Sequence, residues 1–133
     1  MSGAAEPSAS QRIRIAELND LARRAMGVAC KAVATVGFRS LPVADQSRVR
    51  TLIETFNAFD ADNDPHGEHD FGCIYQLLSG RWTSERPRLR EEERERVFWK
   101  IDYYDLDMCF ASEDAANPAI TQRVLTIMLA DEY

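Results

Sequence analysis

The stretch Val97-Phe98-Trp99-Lys100-Ile101-Asp102-Tyr103-Tyr104 decides the fold, because it alternates with a period of two. In an extended chain Val97, Trp99, Ile101 and Tyr103 face one way, and Phe98, Lys100, Asp102 and Tyr104 the other. The first set suits a core face, and the second carries a lysine and an aspartate. Upstream, Phe71 to Leu78 reads as another strand, so the two are expected to pair as an antiparallel hairpin. Their connection, residues 79–95, is rich in charges of both signs and poor in apolar residues, which predicts a solvated loop.

Working outward, apolar residues recur at three- and four-residue spacing between Gln11 and Met26, at Ile15, Leu18, Leu21, Ala22, Ala25 and Met26. This is a first helix, and Gly27 is its stop. Lys31 to Phe38 is short and rich in β-branched residues, which predicts a strand. Pro42 suits the start of a second helix, whose stripe is Val49, Leu52, Ile53, Phe56 and Phe59. A short strand is expected from Met108 to Ala111. Asn117-Pro118 then reads as a helix cap, with Ile120, Val124, Leu125, Met128 and Leu129 as the buried stripe of a last helix. The order α-β-α-β-β-β-α implies an α+β fold, a small antiparallel sheet of about four strands packed by about three helices. Residues 1–10 are expected to be a disordered tail, and residues 11–133 a single domain.

A chain of 133 residues can bury roughly 65–70% of its unfolded surface without disulfides or a structural metal. The longest apolar run, Leu125 to Ala130, is far shorter than a membrane span, and the N-terminus lacks the basic start and apolar core of a secretory signal. A cytoplasmic protein without a membrane anchor is expected. Cys30, Cys73 and Cys109 are odd in number and widely spaced, which suits reduced thiols. The net charge of −6 argues against direct binding of nucleic acid through phosphate contacts. Its acidity is concentrated: residues 60–70 carry five acids and no base, and so do residues 102–114.

The first acidic block begins the segment DADNDPHGEHDFG, residues 60–72, which holds both histidines of the chain. Asp60, Asp62 and Asp64 occupy the first, third and fifth positions of a calcium loop. Pro65 stands where such a loop needs glycine, and Phe71 where it needs a bidentate glutamate, so that reading fails. His66 and His69 with Asp62, Asp64, Glu68 and Asp70 are donors that Zn²⁺, Mn²⁺ or Fe²⁺ accepts, although Pro65 and Gly67 exclude the helical HExxH arrangement. The competing reading is a structural loop, with Asn63 and Asp64 in Asx turns and the histidines bonded to carboxylates. Cys73 beside the histidines is a weaker candidate for nucleophilic chemistry.

If the hairpin pairs as expected, Asp70 approaches Asp105, and the loop shares one end of the sheet with Lys100, Asp102, Asp105 and Asp107. Like charges so close need a cation: a metal, Lys100, an arginine such as Arg23 or Arg24, or a basic partner surface.

The segments NDPHGEHDFG (63–72), VFWKIDYYD (97–105) and VLTIMLADEY (124–133) resemble the bacterial family called domain of unknown function 3768, over about Ile13 to Tyr133. The resemblance implies no catalytic residue, and it implies a setting of plasmids and mobile elements. In that setting the expected function is a non-catalytic protein-binding or accessory module, for instance an inhibitor of a host nucleic-acid enzyme of the anti-restriction or anti-CRISPR type. The alternative is a metal-dependent hydrolase built on the NDPHGEHD loop, with the histidines holding the ion and a carboxylate as general base.

Overall fold

The alternating stretch lies in the longest strand of the molecule. The computed structural model describes residues 6–133, and in it strand β4 runs Glu93–Tyr104, with Val97, Trp99 and Ile101 buried. It follows β1 (Lys31–Ala34), β2 (Phe71–Leu77) and β3 (Trp82–Thr83), and β5 (Gln122–Leu129) comes last. The sheet order is β1-β5-β4-β2-β3. All neighbours are antiparallel except β1 and β5, which pair parallel from Lys31 opposite Val124 to Ala34 opposite Ile127. The fold is α+β as expected, with a mixed five-stranded sheet in place of a four-stranded antiparallel one.

Three helices accompany it: α1 (Ala9–Arg24), α2 (Val36–Arg39) and α3 (Val43–Glu54). Helix α1 starts where Ser8 and Gln11 form a reciprocal capping box, each side chain bonding the other's backbone N–H. The first five residues of the expected tail lie outside the described residues, and Ala9 and Ser10 are already helical. Thr35 ends β1 earlier than expected, because its hydroxyl accepts the Phe38 N–H and so caps α2. Ala22, Phe38, Val49 and Ile53 bring all three helices onto one face of the sheet, against Ile74, Val97, Trp99, Leu125 and Ile127. Gly72 makes this closeness possible: a Cβ there would strike the Trp99 indole and come within 2.8 Å of Phe56.

The largest correction concerns the C-terminus. Residues 122–129 form β5, not a helix, inserted between β1 and β4. Leu125, Ile127 and Leu129 share the helix-covered face with Ile101, Trp99 and Val97, while Val124 and Met128 lie on the opposite face and are also buried. A strand buried on both faces is apolar almost throughout, and its apolar residues then match helical spacing by coincidence. The expected cap is a turn, in which the Asn117 carboxamide accepts the Ala119 N–H at 3.0 Å. Residues 108–111 contribute only an isolated bridge, Ala111 to Tyr104.

The connection at 79–95 is more structured than expected. Trp82 in β3 is buried and donates to Asp45 on α3 at 3.0 Å. Glu93 is also buried, with Arg90 and Arg96 both bonded to its carboxylate. The hairpin pairs in the expected sense, but Phe71 stands opposite Lys100 and the Asp70 carbonyl accepts the Ile101 N–H at 2.8 Å. Since β4 runs four residues past that point, Asp105 lies about 13 Å farther along the strand direction. Asp70 and Asp105 therefore do not meet. No described helix is long and apolar enough to cross a membrane.

Candidate functional site

The acidic loop is built by its own side chains. The Asp60 carboxylate accepts the N–H groups of Asp62 and Asn63, both at 2.9 Å, and Asn63 reaches back to Asp60 N–H and Ala58 C=O. Asp64, with its side chain 5% exposed, accepts from the N–H groups of Glu68 and His69. Gly67 (φ +69°) and His69 (φ +57°) take left-handed backbone conformations that close the loop.

That closure presents the His69 ring. It lies flat on Phe59, with centroids 4.0 Å apart and planes within 2°. Its Nδ1 is 3.0 Å from Asp20 Oδ1 on α1, and its Nε2 is 3.7 Å from Asp64 Oδ2. Asp20 Oδ1 also accepts from Arg23 Nη2 at 2.6 Å. Arg23 is 2% exposed, donates to the carbonyls of Ile53 and Glu54 at the end of α3, and lies over Phe59 and Trp99. A cation there also meets the negative end of the helix dipole. Burial pushes its pKa below the ordinary value, while the bond to Asp20 raises it. Arg23, Asp20, His69 and Asp64 thus form a relay that ties α1 and α3 to the loop.

A second network begins one residue earlier. Asn19 is fully buried; its Nδ2 donates to Glu68 C=O at 2.9 Å and to Tyr103 Oη at 2.8 Å, and its Oδ1 accepts from Arg123 Nε at 2.7 Å. Tyr103 Oη also reaches Glu68 Oε1 at 3.4 Å. Burial, with Asp70 and Glu68 nearby, pushes the tyrosine pKa well above the usual range, which makes it a poor proton donor at neutral pH.

The structure separates the candidate residues. His69, Asp64, Glu68 and Asp70 come together, and burial followed by the charges of Glu68 and Asp64 pushes the Asp70 carboxyl up to about 6. Asp62 and His66 are exposed, and neither side chain has a hydrogen-bond partner among the described residues. In the second acidic block Lys100 pairs with Asp102 at 3.1 Å, and Asp105 accepts the N–H groups of Cys109 and Phe110 in its own turn. Asp107 is exposed. Of the expected cations, Arg23 bonds Asp20 instead of the loop acids, and exposed Arg24 does not reach them.

Among the described residues no group of three His, Cys, Asp or Glu side chains is placed to hold a metal ion. Both nitrogens of His69 are turned to carboxylates that themselves serve the loop and α1. Cys73 is buried and its thiol is pushed up to about 11 by burial, which opposes thiolate chemistry. The residues that sequence reasoning missed are Asn19, Asp20, Tyr103 and Arg123. A signal existed for the first: Asn19 and Arg23 follow Ile15 at four-residue steps, two polar residues on the buried face of α1.

Residues 34–132 match the family described as "Protein of unknown function (DUF3768)", and the chain belongs to that family. No curated protein and no solved structure matches it.

Proposed function

Starting from membership of a family of unknown function, we propose that this chain is a non-catalytic protein-binding module that docks through the helix-free face of its sheet. The reading is supported by a division of labour. The acidic loop spends its hydrogen bonds on its own backbone and on α1, as a scaffold does, whereas the opposite sheet face carries an aromatic cluster on which none of α1, α2 and α3 packs. Phe71 and Phe98 are tilted against each other and both meet Tyr133 edge to face, with centroids 5.1 to 5.9 Å apart, and Tyr133 is 75% exposed. Aromatic residues are enriched in protein interfaces, and tyrosine among their energetic centres. Val33 extends the apolar area on the same face. Lys100 and Asp102 lie on that face too, as an ion pair, and Asp131 and Glu132 adjoin Tyr133.

This composition suits a partner with an apolar centre and a basic rim, for which acidic groups speed association more than they tighten binding. A host nucleic-acid enzyme is one class of protein with such a surface. The test is affinity capture at low and high salt with the parent chain, Phe98→Glu/Tyr133→Ala and His69→Asn. A partner held by the parent and by His69→Asn, and lost by the sheet-face variant, supports the reading. Retention by the sheet-face variant overturns it. So does stoichiometric Zn, Mn or Fe in tag-free protein that disappears in His66→Ala/His69→Ala.

A further inference from the structure

Arg123 is the only basic residue after Lys100, and it is 5% exposed. A buried guanidinium ordinarily has a carboxylate opposite it, because burying an unpaired charge is costly. Here its Nε meets Asn19 Oδ1, its Nη2 meets the Ala115 carbonyl, and the Tyr103 ring lies 5.1 Å from its Cζ. All three partners are uncharged. Glu68 and Arg14 act on it only through space, with opposite signs. Among the described residues no acid pairs with it, and Nη1 is left without a protein partner yet is not sealed away.

Arg123 also lines a cavity of about 710 Å³ between the C-terminal half of α1, the start of β1 and the start of β5. That volume is within the range of small-molecule sites, roughly 300–1,000 Å³. Leu18, Leu21, Ala22, Val28, Ala32 and Pro118 supply apolar walls. The charge of the lining runs against that of the chain: net charge is −6 overall, yet this cavity is lined by Arg123 and Lys31 and by no aspartate or glutamate.

We propose that this cavity binds a small monocarboxylic acid with an apolar body, its carboxylate on Arg123 and its hydrocarbon part along Leu18, Leu21 and Val28. One buried cation matches one anionic group, since Lys31, the other cation of the lining, is exposed. A carboxylate supplies the acceptor that Nη1 lacks, and a charge-assisted bond is stronger than a neutral one. Neither the aromatic cluster nor the acidic loop takes part.

The experiment is calorimetric titration of the whole chain with decanoate and, separately, with decanol. Saturable decanoate binding is expected, with decanol about tenfold weaker or more, the loss that one charge-assisted hydrogen bond implies. Arg123→Gln should bring decanoate down to the decanol level. Because that change also disturbs Asn19, a second variant keeps the test independent of folding: Leu21→Glu, at a half-exposed wall position, should keep the circular dichroism of the parent and lose decanoate. Equal affinity for decanoate and decanol, no saturable binding of decanoate, or unchanged decanoate binding by Leu21→Glu overturns the proposal.

Discussion

Replacing Asn19 by leucine keeps the volume of the side chain and deletes its polar end. Three bonds are lost at once, to the Glu68 carbonyl, the Tyr103 hydroxyl and the Arg123 guanidinium. Each neutral bond contributes about 1 kcal/mol and the charged one about 2 kcal/mol, so the expected loss is about 4 kcal/mol. That is a large part of the 5–15 kcal/mol typical of a folded domain. At about 4 °C per kcal/mol for a chain of this size, the melting midpoint falls by about 15 °C. Trp82 and Trp99 are both buried, so their fluorescence follows unfolding in urea, and the midpoint should drop with an unchanged slope. Tyr103→Phe should cost about 1 kcal/mol alone and measurably less in the Asn19→Leu background, because the bond is already gone. A loss under about 1 kcal/mol for Asn19→Leu would refute the reasoning, since it would mean that water replaces all three partners freely.

The remaining predictions concern the loop and the core beneath it. The Asp70 carboxyl is pushed from 3.8 up to about 6, chiefly by burial, so between about pH 4 and 6 the folded chain holds a proton the unfolded chain has released; stability therefore falls as pH rises through that window, by at most about 3 kcal/mol. Urea titrations of Asp70→Asn should lack that fall, match the parent near pH 4 and exceed it above pH 6. The two histidines should separate: His66→Ala, at an exposed position, shifts stability by less than about 0.5 kcal/mol, whereas His69→Ala loses the Asp20 contact and the Phe59 stack and costs about 2 kcal/mol. Equal effects on thermal melting would contradict the assignment of His69 to the scaffold. Gly72→Ala drives a methyl into Trp99 and Phe56 and should destabilise by about 1–3 kcal/mol in the same assay; an unperturbed midpoint would mean that the core yields there.

Much of this was legible in the chain itself. The alternation at 97–104 and the stripes of α1 and α3 located a sheet covered by helices on one face, because half-buried elements print their period on the sequence. Strand β5 escaped that logic. Buried on both faces, it has no polar alternation, and Arg123 within it is polar for a reason that only the Asn19 contact reveals. The acidic loop lies where a connection before β2 is expected, but its Asx turn is made by Asp60, which accepts the N–H groups two and three residues on, whereas Asn63 bonds back to Asp60 and Ala58 and Asp64 reaches forward to Glu68 and His69. Its partners were not legible, since Asp20 and Asn19 stand some fifty residues upstream with no local mark of the meeting. The register of the hairpin was hidden for a simpler reason: apolar residues bound β2, but charged residues 93–96 extend β4 at the end where the period fades.

The position of β5 in the sheet has a consequence for how the molecule is made. Strand β5 is made after both strands that it must slot between, β1 and β4, so each stands with a bare edge until residues 122–129 have been made. Asn19 waits for a residue 104 positions away, and Gly37 for one 95 positions away. Such distant partners make for slow closure and a nascent chain whose unpaired strand edges invite aggregation. Loss of residues 122–133 would therefore remove the middle of the sheet and leave β1 without the strand it pairs with.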